Sequence, residues 1–295
     1  MGIQLWVGCS YANYAFLPMH RCRLQVFQTA LLSFLHAKQQ NGQWLVRIDD
    51  LDEKRCNQSH ANEILHCLNA FGLESDRAVV YQSTRLKDYA DALSTLKRQG
   101  ILYSCTCSRK SLPKGPYAGN CSNRLGQAFL ADSAIRISTE KLSTSVNDLL
   151  LGPQIIGSPG DFIVKRRDGL FAYQLACAVD EHIDSITDVI RGVDLLESTP
   201  MQCFISERLG FASPNYGHFP VLVDNNGSKL SKQTFASPVD QRFPGTTYSK
   251  LAKLMLLKDT PSDMDPASIW LAFFQSVTTP AAIKSMAGVT NTLSV

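Results

Sequence analysis

The sequence predicts an α/β protein: a doubly wound parallel sheet interrupted by an insertion. Three observations carry this. Helical and strand patterns alternate along the chain, the apolar strand pattern Trp44–Ile48 ends in a cluster of carboxylates, and a Cys- and Gly-rich stretch breaks the alternation at Cys105. Phe27 to Gln39 has helical spacing, and Trp44 to Ile48 follows as a strand. Ser59 with Glu63 opens a helix that Gly72 closes. Tyr89 to Gln99 predicts another helix, with Gly100 just past its end and a short Ile101-Leu102-Tyr103 strand beyond. The insertion comes next, and its latter part, through Asn147 and Gly160, has few landmarks. Strand and helix resume at Asp161, and Ser198-Thr199-Pro200 starts a helix, Pro at its first position, that ends before Gly210. The expected division is 1–104 and 161–235 as two halves of the sheet domain, 105–160 as the insertion, and 236–295 as a helical C-terminal segment.

At 295 residues and 44% hydrophobic, the chain can bury a substantial core. It has no apolar run of the roughly 18 residues that would suggest a membrane span. The first residues lack a basic stretch followed by an apolar one, so neither membrane association nor secretion is expected. Nine cysteines without a disulfide-scaffold rhythm fit a reducing cytoplasm with one metal site. A net charge of +3 does not by itself indicate nucleic acid. An RNA-binding face would have to be local, near Arg109-Lys110 or Lys165-Arg166-Arg167. The second of these fits a hairpin better, because Arg167-Asp168-Gly169 between apolar stretches is a tight-turn pattern.

Four stretches carry chemistry. Lys229-Leu230-Ser231-Lys232-Gln233 follows the turn-rich Asp224-Asn225-Asn226-Gly227-Ser228, so a mobile loop carries two lysines that can gather the charge of a leaving pyrophosphate. For the pentapeptide alone, a solvated basic turn is the better reading. Cys105-Thr106-Cys107, Tyr117 and Cys121 offer three thiolates and a phenolate in a loop that needs a staple, a set suited to one structural zinc ion. Free thiols or a redox pair are the bland alternative. Asp49 and Asp50 stand at the carboxyl end of a strand, where open α/β sheets meet ligand ammonium groups and hydroxyls, although Asp there also serves as a cap or turn former. The fourth stretch runs from Asp161 through Tyr173 to Ala176, then Val179-Asp180-Glu181-His182 and Arg191-Gly192-Val193-Asp194-Leu195. Tyr173 as core packing and Arg191 as half of a structural salt bridge are the plain readings of that stretch.

Together these residues resemble the glutamyl-Q tRNA(Asp) synthetases, short paralogues of glutamyl-tRNA synthetase within the class I aminoacyl-tRNA synthetases. Arg-Ile-Asp-Asp-Leu-Asp at 47–52 is similar to an Arg-Ile-Glu-Asp-Thr-Asp segment, and Lys229 to Gln233 to a Lys-Met-Ser-Lys-Ser signature. The resemblance runs from about Gln28 to about Ala236 and implies a Rossmann-like catalytic domain with a zinc-binding insertion. It further implies that glutamate is activated with Mg2+ and ATP and attached to the queuosine base in the anticodon of tRNA(Asp). Asp49 would hold the glutamate amino group, Tyr173 and Arg191 would contact the amino acid, and Lys232, with Lys229 beside it, would contact ATP. Arg191 also has a physical case, since a guanidinium binds a carboxylate bidentately and would select glutamate by its side chain. Residues 234–295 leave no room for a separate anticodon-binding domain of typical size, ~100 residues or more. The implied assembly is a monomer.

The N-terminal segment departs from the pattern. Where the family has Arg-Phe-Ala-Pro-Ser-Pro-x-Gly-x-Leu-His-x-Gly, this chain has Cys9 to Phe27, with no Pro-Ser-Pro turn and no Gly after His20. His20 is therefore expected to be an incidental residue. A stretch of the gene read out of frame would leave such an edge, and resequencing tests it. Two alternatives follow: a catalytically impaired relative that binds nucleotide or tRNA, and a shortened glutamyl-tRNA synthetase that charges the 3′ end.

Overall fold

The computed structural model of the protein describes residues 2–7, 24–52, 56, 58–112, 115–140, 142–223, 239–255, 257–278 and 292–294. The predicted parallel sheet is present. Five strands lie in the order β10-β9-β1-β2-β3: β1 (Gly2–Val7), β2 (Gln43–Ile48), β3 (Val80–Tyr81), β9 (Ile186–Gly192) and β10 (Asn215–Phe219). Every neighbouring pair is parallel. β1 holds the centre, with Val7 level with Ile48 of β2 and Gln4 level with Val189 of β9. β2 and β9 therefore flank β1, and their carboxyl ends open on one edge of the sheet, where such folds bind ligands.

Helix α1 (Leu24–Gln39) starts three residues before the expected position and packs on β1 and β9. α2 (Gln58–Ala70) starts one residue before Ser59, so Ser59 lies inside the helix, and α3 (Leu86–Arg98) starts three residues before Tyr89; Gly72 and Gly100 beyond them have the positive φ that an L side chain resists. α4 (Tyr173–Ile183) and α5 (Thr199–Leu209) complete the sheet domain, α5 with Pro200 in its first turn and Gly210 left-handed at its end. α6 (Pro244–Leu254) and α7 (Ala267–Val277) pack on its first half through an aromatic cluster: Phe27 lies 4.2 Å from Phe71 and 5.3 Å from Tyr248, whose hydroxyl donates to Phe71 O at 2.6 Å.

The stretch around the expected insertion is richer than its sequence suggests. β4 (Leu102–Cys105), β5 (Ala134–Ile137) and β8 (Phe162–Lys165) form a three-stranded antiparallel sheet, so strands from both sides of the insertion close it off. Between β5 and β8, where landmarks are few, β6 (Ser145–Asp148) and β7 (Gly152–Ile155) make an antiparallel hairpin. After β8, Gly169 N–H donates to Arg166 O at 3.1 Å, which closes the tight turn expected at Arg167-Asp168-Gly169. The basic side chains there are engaged locally: Arg166 meets Asp52 at 3.0 Å, and Arg167 donates to Thr106 O at 2.8 Å. β11 (Val221–Val223) pairs with β12 (Thr292–Ser294). Among the described residues, no helix is long and apolar enough to cross a membrane.

Candidate functional site

Arg47 and Asp49 stand at the end of β2 and just beyond it, and both are buried. Alternation on the strand would send Arg47 and Asp49 to one face, and Arg47 Nε donates to Asp49 Oδ1 at 2.8 Å. Arg47 also meets Asp180 of α4 at 3.1 Å. Asp180, fully buried, takes further hydrogen bonds from Gln82 and from the Tyr89 hydroxyl, both at 2.8 Å, and pairs with Arg85 at 3.0 Å. The second oxygen of Asp49, Oδ2, is buried with no hydrogen-bond partner among the described residues. Burial pushes the Asp49 carboxyl up to about 7, against the pull of Arg47. An ammonium group at Oδ2 would supply the missing partner.

Asp50 has a different task. Its carboxylate accepts from Ser83 N at 2.8 Å and from the Ser83 hydroxyl at 2.6 Å, so it is the turn former of the pair, while Asp49 keeps Oδ2 without a hydrogen bond among the described residues.

Arg191, near the end of β9, is fully buried. Its Nε donates to His218 Nε2 at 3.1 Å, Nη1 to Gln202 Oε1 at 2.8 Å, and Nη2 to the Thr199 hydroxyl at 2.7 Å and Leu195 O at 3.4 Å. The guanidinium also lies 4.8 Å from the centre of the Tyr216 ring. Among the described residues no carboxylate pairs with it, so the structural salt bridge is not what holds this side chain. Burial works against its charge, but Tyr173, Tyr216 and Glu181 around it keep its pKa above the ordinary value.

Tyr173, the first residue of α4, is half-buried and links the two charged groups. Its phenol is raised well above its usual pKa, by burial first and then by Cys177 and Asp49, while Arg191 and Arg47 oppose the rise. Tyr173 is therefore an electrostatic neighbour of both Asp49 and Arg191: a phenol beside a carboxylate with an open oxygen and, among the described residues, a guanidinium that no carboxylate pairs. Such a site suits a small zwitterion that carries a further carboxylate.

The thiols of Cys105, Cys107 and Cys121 lie within 4.8 Å of one another, with Cys107 Sγ 3.6 Å from Cys121 Sγ. The Tyr117 hydroxyl is 3.5 Å from Cys105 Sγ and accepts from Cys121 N at 3.0 Å. Gly160 seats this tyrosine: a Cβ there would fall 2.4 Å from Tyr117 O. Arg136 stacks 3.7 Å over the ring. Burial would raise the Cys105 thiol, but hydrogen bonds from Tyr117 and Arg136 outweigh it and bring the pKa down to about 7. All described cysteines are free thiols. The three sulfurs thus converge as a candidate metal site.

Lys229 and Lys232 lie outside the described residues, as do His20 and all of the departing segment 9–27 except residues 24–27, which open α1. Sequence reasoning missed Gln202 and His218, which hydrogen-bond Arg191, and Asp148, which holds His218 from behind. None stands in a motif, and the only signal was the Asn215–Phe219 strand pattern beside Arg191.

The family model for the catalytic domain of class I tRNA synthetases (E and Q) matches residues 26–254. The chain is 42% identical over 250 residues to a glutamyl-Q tRNA(Asp) synthetase of Methylococcus capsulatus, covering 83% of this chain and 82% of that one. This chain belongs to the glutamyl-Q tRNA(Asp) synthetase family. It is likewise 42% identical over 244 residues to a member from Thiobacillus denitrificans, covering 79% and 80% of the two chains. Among solved structures, a glutamate–tRNA synthetase of Elizabethkingia anophelis shares the fold, with a TM-score of 0.71 at 18% identity over 92% of this chain. The family member described here spans 64% of that longer synthetase. The family match opens at residue 26, beside Gln28, where the resemblance resumes after the unusual N-terminal segment.

Proposed function

We propose that the protein activates glutamate with ATP as glutamyl-adenylate and transfers it to the queuosine base in the anticodon of tRNA(Asp), acting as a cytoplasmic monomer. The observation that carries this reading is the buried Arg191, which among the described residues has neutral acceptors on several sides and no paired carboxylate, and which shares Tyr173 as an electrostatic neighbour with Asp49 and its open Oδ2. Asp49 holds the amino group, Arg191 the side-chain carboxylate, and Tyr173 closes the pocket between them. The α-carboxylate then attacks the α-phosphorus of ATP in line, and Lys229 and Lys232 stabilise the departing pyrophosphate. Mg2+ bound with ATP would supply neutralisation of phosphate charge. A hydroxyl of queuosine attacks the acyl carbon of the mixed anhydride, losing its proton as the bond to AMP breaks and AMP leaves, so no side-chain nucleophile is needed.

Residues 1–104 and 161–235 serve as the catalytic body and 105–160 as a zinc-bearing insertion. The donor set fits zinc: three mutually close sulfurs, one thiol already pulled down to about 7, and a phenol in contact with them. Bound there, zinc would staple a loop with little apolar content. Elemental analysis of the purified protein should find about one zinc per chain, and Cys105→Ser should lower that content and the melting temperature together. A metal-free protein with unchanged melting behaviour removes the zinc claim.

Glutamate-dependent ATP–pyrophosphate exchange tests activation, and the position of labelled glutamate on tRNA tests transfer. Label on the anticodon base supports the reading. Label at the 3′ end supports a shortened glutamyl-tRNA synthetase instead. Exchange that appears only after residues 9–27 are replaced by the family segment identifies the chain as an impaired relative.

A further inference from the structure

Arg191 and His218 are register partners on adjacent parallel strands, so their side chains stand next to each other on one face of the sheet. His218 is fully buried, and its two ring nitrogens have different partners. Nδ1 lies 2.5 Å from Asp148 Oδ2. Nε2 faces the Arg191 Nε–H at 3.1 Å and the Thr199 hydroxyl at 3.2 Å. A guanidinium can only donate, so Nε2 must carry a lone pair, and Nδ1 must carry the proton that Asp148 accepts. Burial lowers the His218 pKa and Arg191 lowers it further, against the pull of Asp148, so the ring is neutral.

Asp148 reaches this position from the β6–β7 hairpin, outside the parallel sheet. Its Oδ1 accepts three backbone N–H groups: Leu150 at 2.9 Å, Leu151 at 2.8 Å and His218 at 3.2 Å. Those three donors leave Oδ2 facing the imidazole. The hairpin turn comes this close because the residue beside His218 is Gly217. A Cβ there would lie 2.7 Å from Ile190 Cδ1 and 3.2 Å from Leu150 Cγ. Leu149 N also donates to Tyr216 O at 2.8 Å.

We infer that Asp148 and His218 are positioning residues for substrate recognition: Asp148 selects the Nδ1–H tautomer of His218, and the Nε2 lone pair this leaves aims the Arg191 guanidinium at the carboxylate of the amino-acid substrate. This rests on the proposed role of Arg191. It makes the β6–β7 hairpin part of glutamate selection, although the hairpin need not touch glutamate.

Asp148→Asn tests it at constant shape. The three N–H donors keep the carbonyl oxygen of the new amide, so its NH2 faces Nδ1, moves the histidine proton to Nε2 and sets it against the Arg191 Nε–H. Losing a hydrogen bond to a charged group should raise the KM for glutamate about tenfold or more in pyrophosphate exchange, with the KM for ATP within about twofold of the parent. His218→Gln presents a carbonyl to Arg191 without needing a tautomer. It should retain more glutamate affinity than His218→Leu, and adding Asp148→Asn to His218→Gln should change little. Equal losses for glutamate and ATP, or full additivity of the two substitutions, overturn the inference.

Histidine 15N NMR gives a readout independent of any substrate. The parent should show His218 protonated at Nδ1, and Asp148→Asn should move the proton to Nε2. A parent protonated at Nε2 overturns the inference whatever the kinetics. A parent with the expected tautomer that binds no glutamate overturns the proposed function, and with it the substrate assigned to this device.

Discussion

Two buried arginines in neighbouring parts of one site are held in opposite ways. Arg47, at the end of β2, meets Asp49 at 2.8 Å and Asp180 at 3.1 Å, and Asp180 is tied in turn to Arg85, Gln82 and Tyr89. Arg191, at the end of β9, is gripped by an imidazole, an amide, a hydroxyl and a backbone carbonyl, all neutral. Burying a charge is costly unless something answers it. Arg47 is answered within the protein and so belongs to the scaffold that orients Asp49. Among the described residues Arg191 is oriented by neutral groups and ion-paired with no carboxylate, which would leave its charge for an incoming anion in the role proposed above. The same contrast divides the adjacent carboxylates: Asp50 is occupied by Ser83, while Asp49 keeps one oxygen open.

The largest expected effect breaks the scaffold side of this comparison. Arg47→Met leaves Asp49 and Asp180 buried without their shared cation and should cost about 3–5 kcal/mol of stability in denaturant unfolding. A loss below about 1 kcal/mol would show that Arg47 is not the structural member of the two. Arg191→Ala sharpens the other side. It orphans no carboxylate, so it should cost less stability than Arg47→Met while weakening glutamate binding by ~2–5 kcal/mol. ATP binding, measured calorimetrically, should stay near the parent value. Equal losses for both ligands would indicate a general structural role.

The smallest effect concerns protonation. Burial pushes Asp49 up to about 7, so below that pH the carboxyl is mostly neutral and a poor partner for an ammonium, and above it the carboxylate is available. The KM for glutamate should therefore fall roughly tenfold as pH rises from about 6 to about 8. Asp49→Asn should raise KM and flatten that step. A step that survives in Asp49→Asn assigns it to Glu181, which burial also pushes up to about 7 and which accepts from the Tyr216 hydroxyl at 2.8 Å.

The sequence alone determined the parallel-sheet architecture, the ends of α2 and α5, the tight turn at Gly169, the convergence of three thiols and the family, because each rests on short-range pattern: strand and helix periodicity, caps, turn residues and local spacing. It also singled out Asp49, Tyr173 and Arg191, since motif residues at strand ends and helix starts are legible one segment at a time. The residues alone left cap or turn former open for Asp49 and Asp50, and only the resemblance chose Asp49; that Asp50 is the turn former depends on Ser83, thirty-three residues away. The sequence could not find Asp148, which lies in a stretch without landmarks, seventy residues from His218. Only the packing of the β6–β7 hairpin against Gly217 brings that carboxylate to the imidazole behind Arg191. Tertiary structure decided these points for one physical reason: whether a buried charge is neutralised, or held in place by neutral groups, depends on partners that distant segments supply.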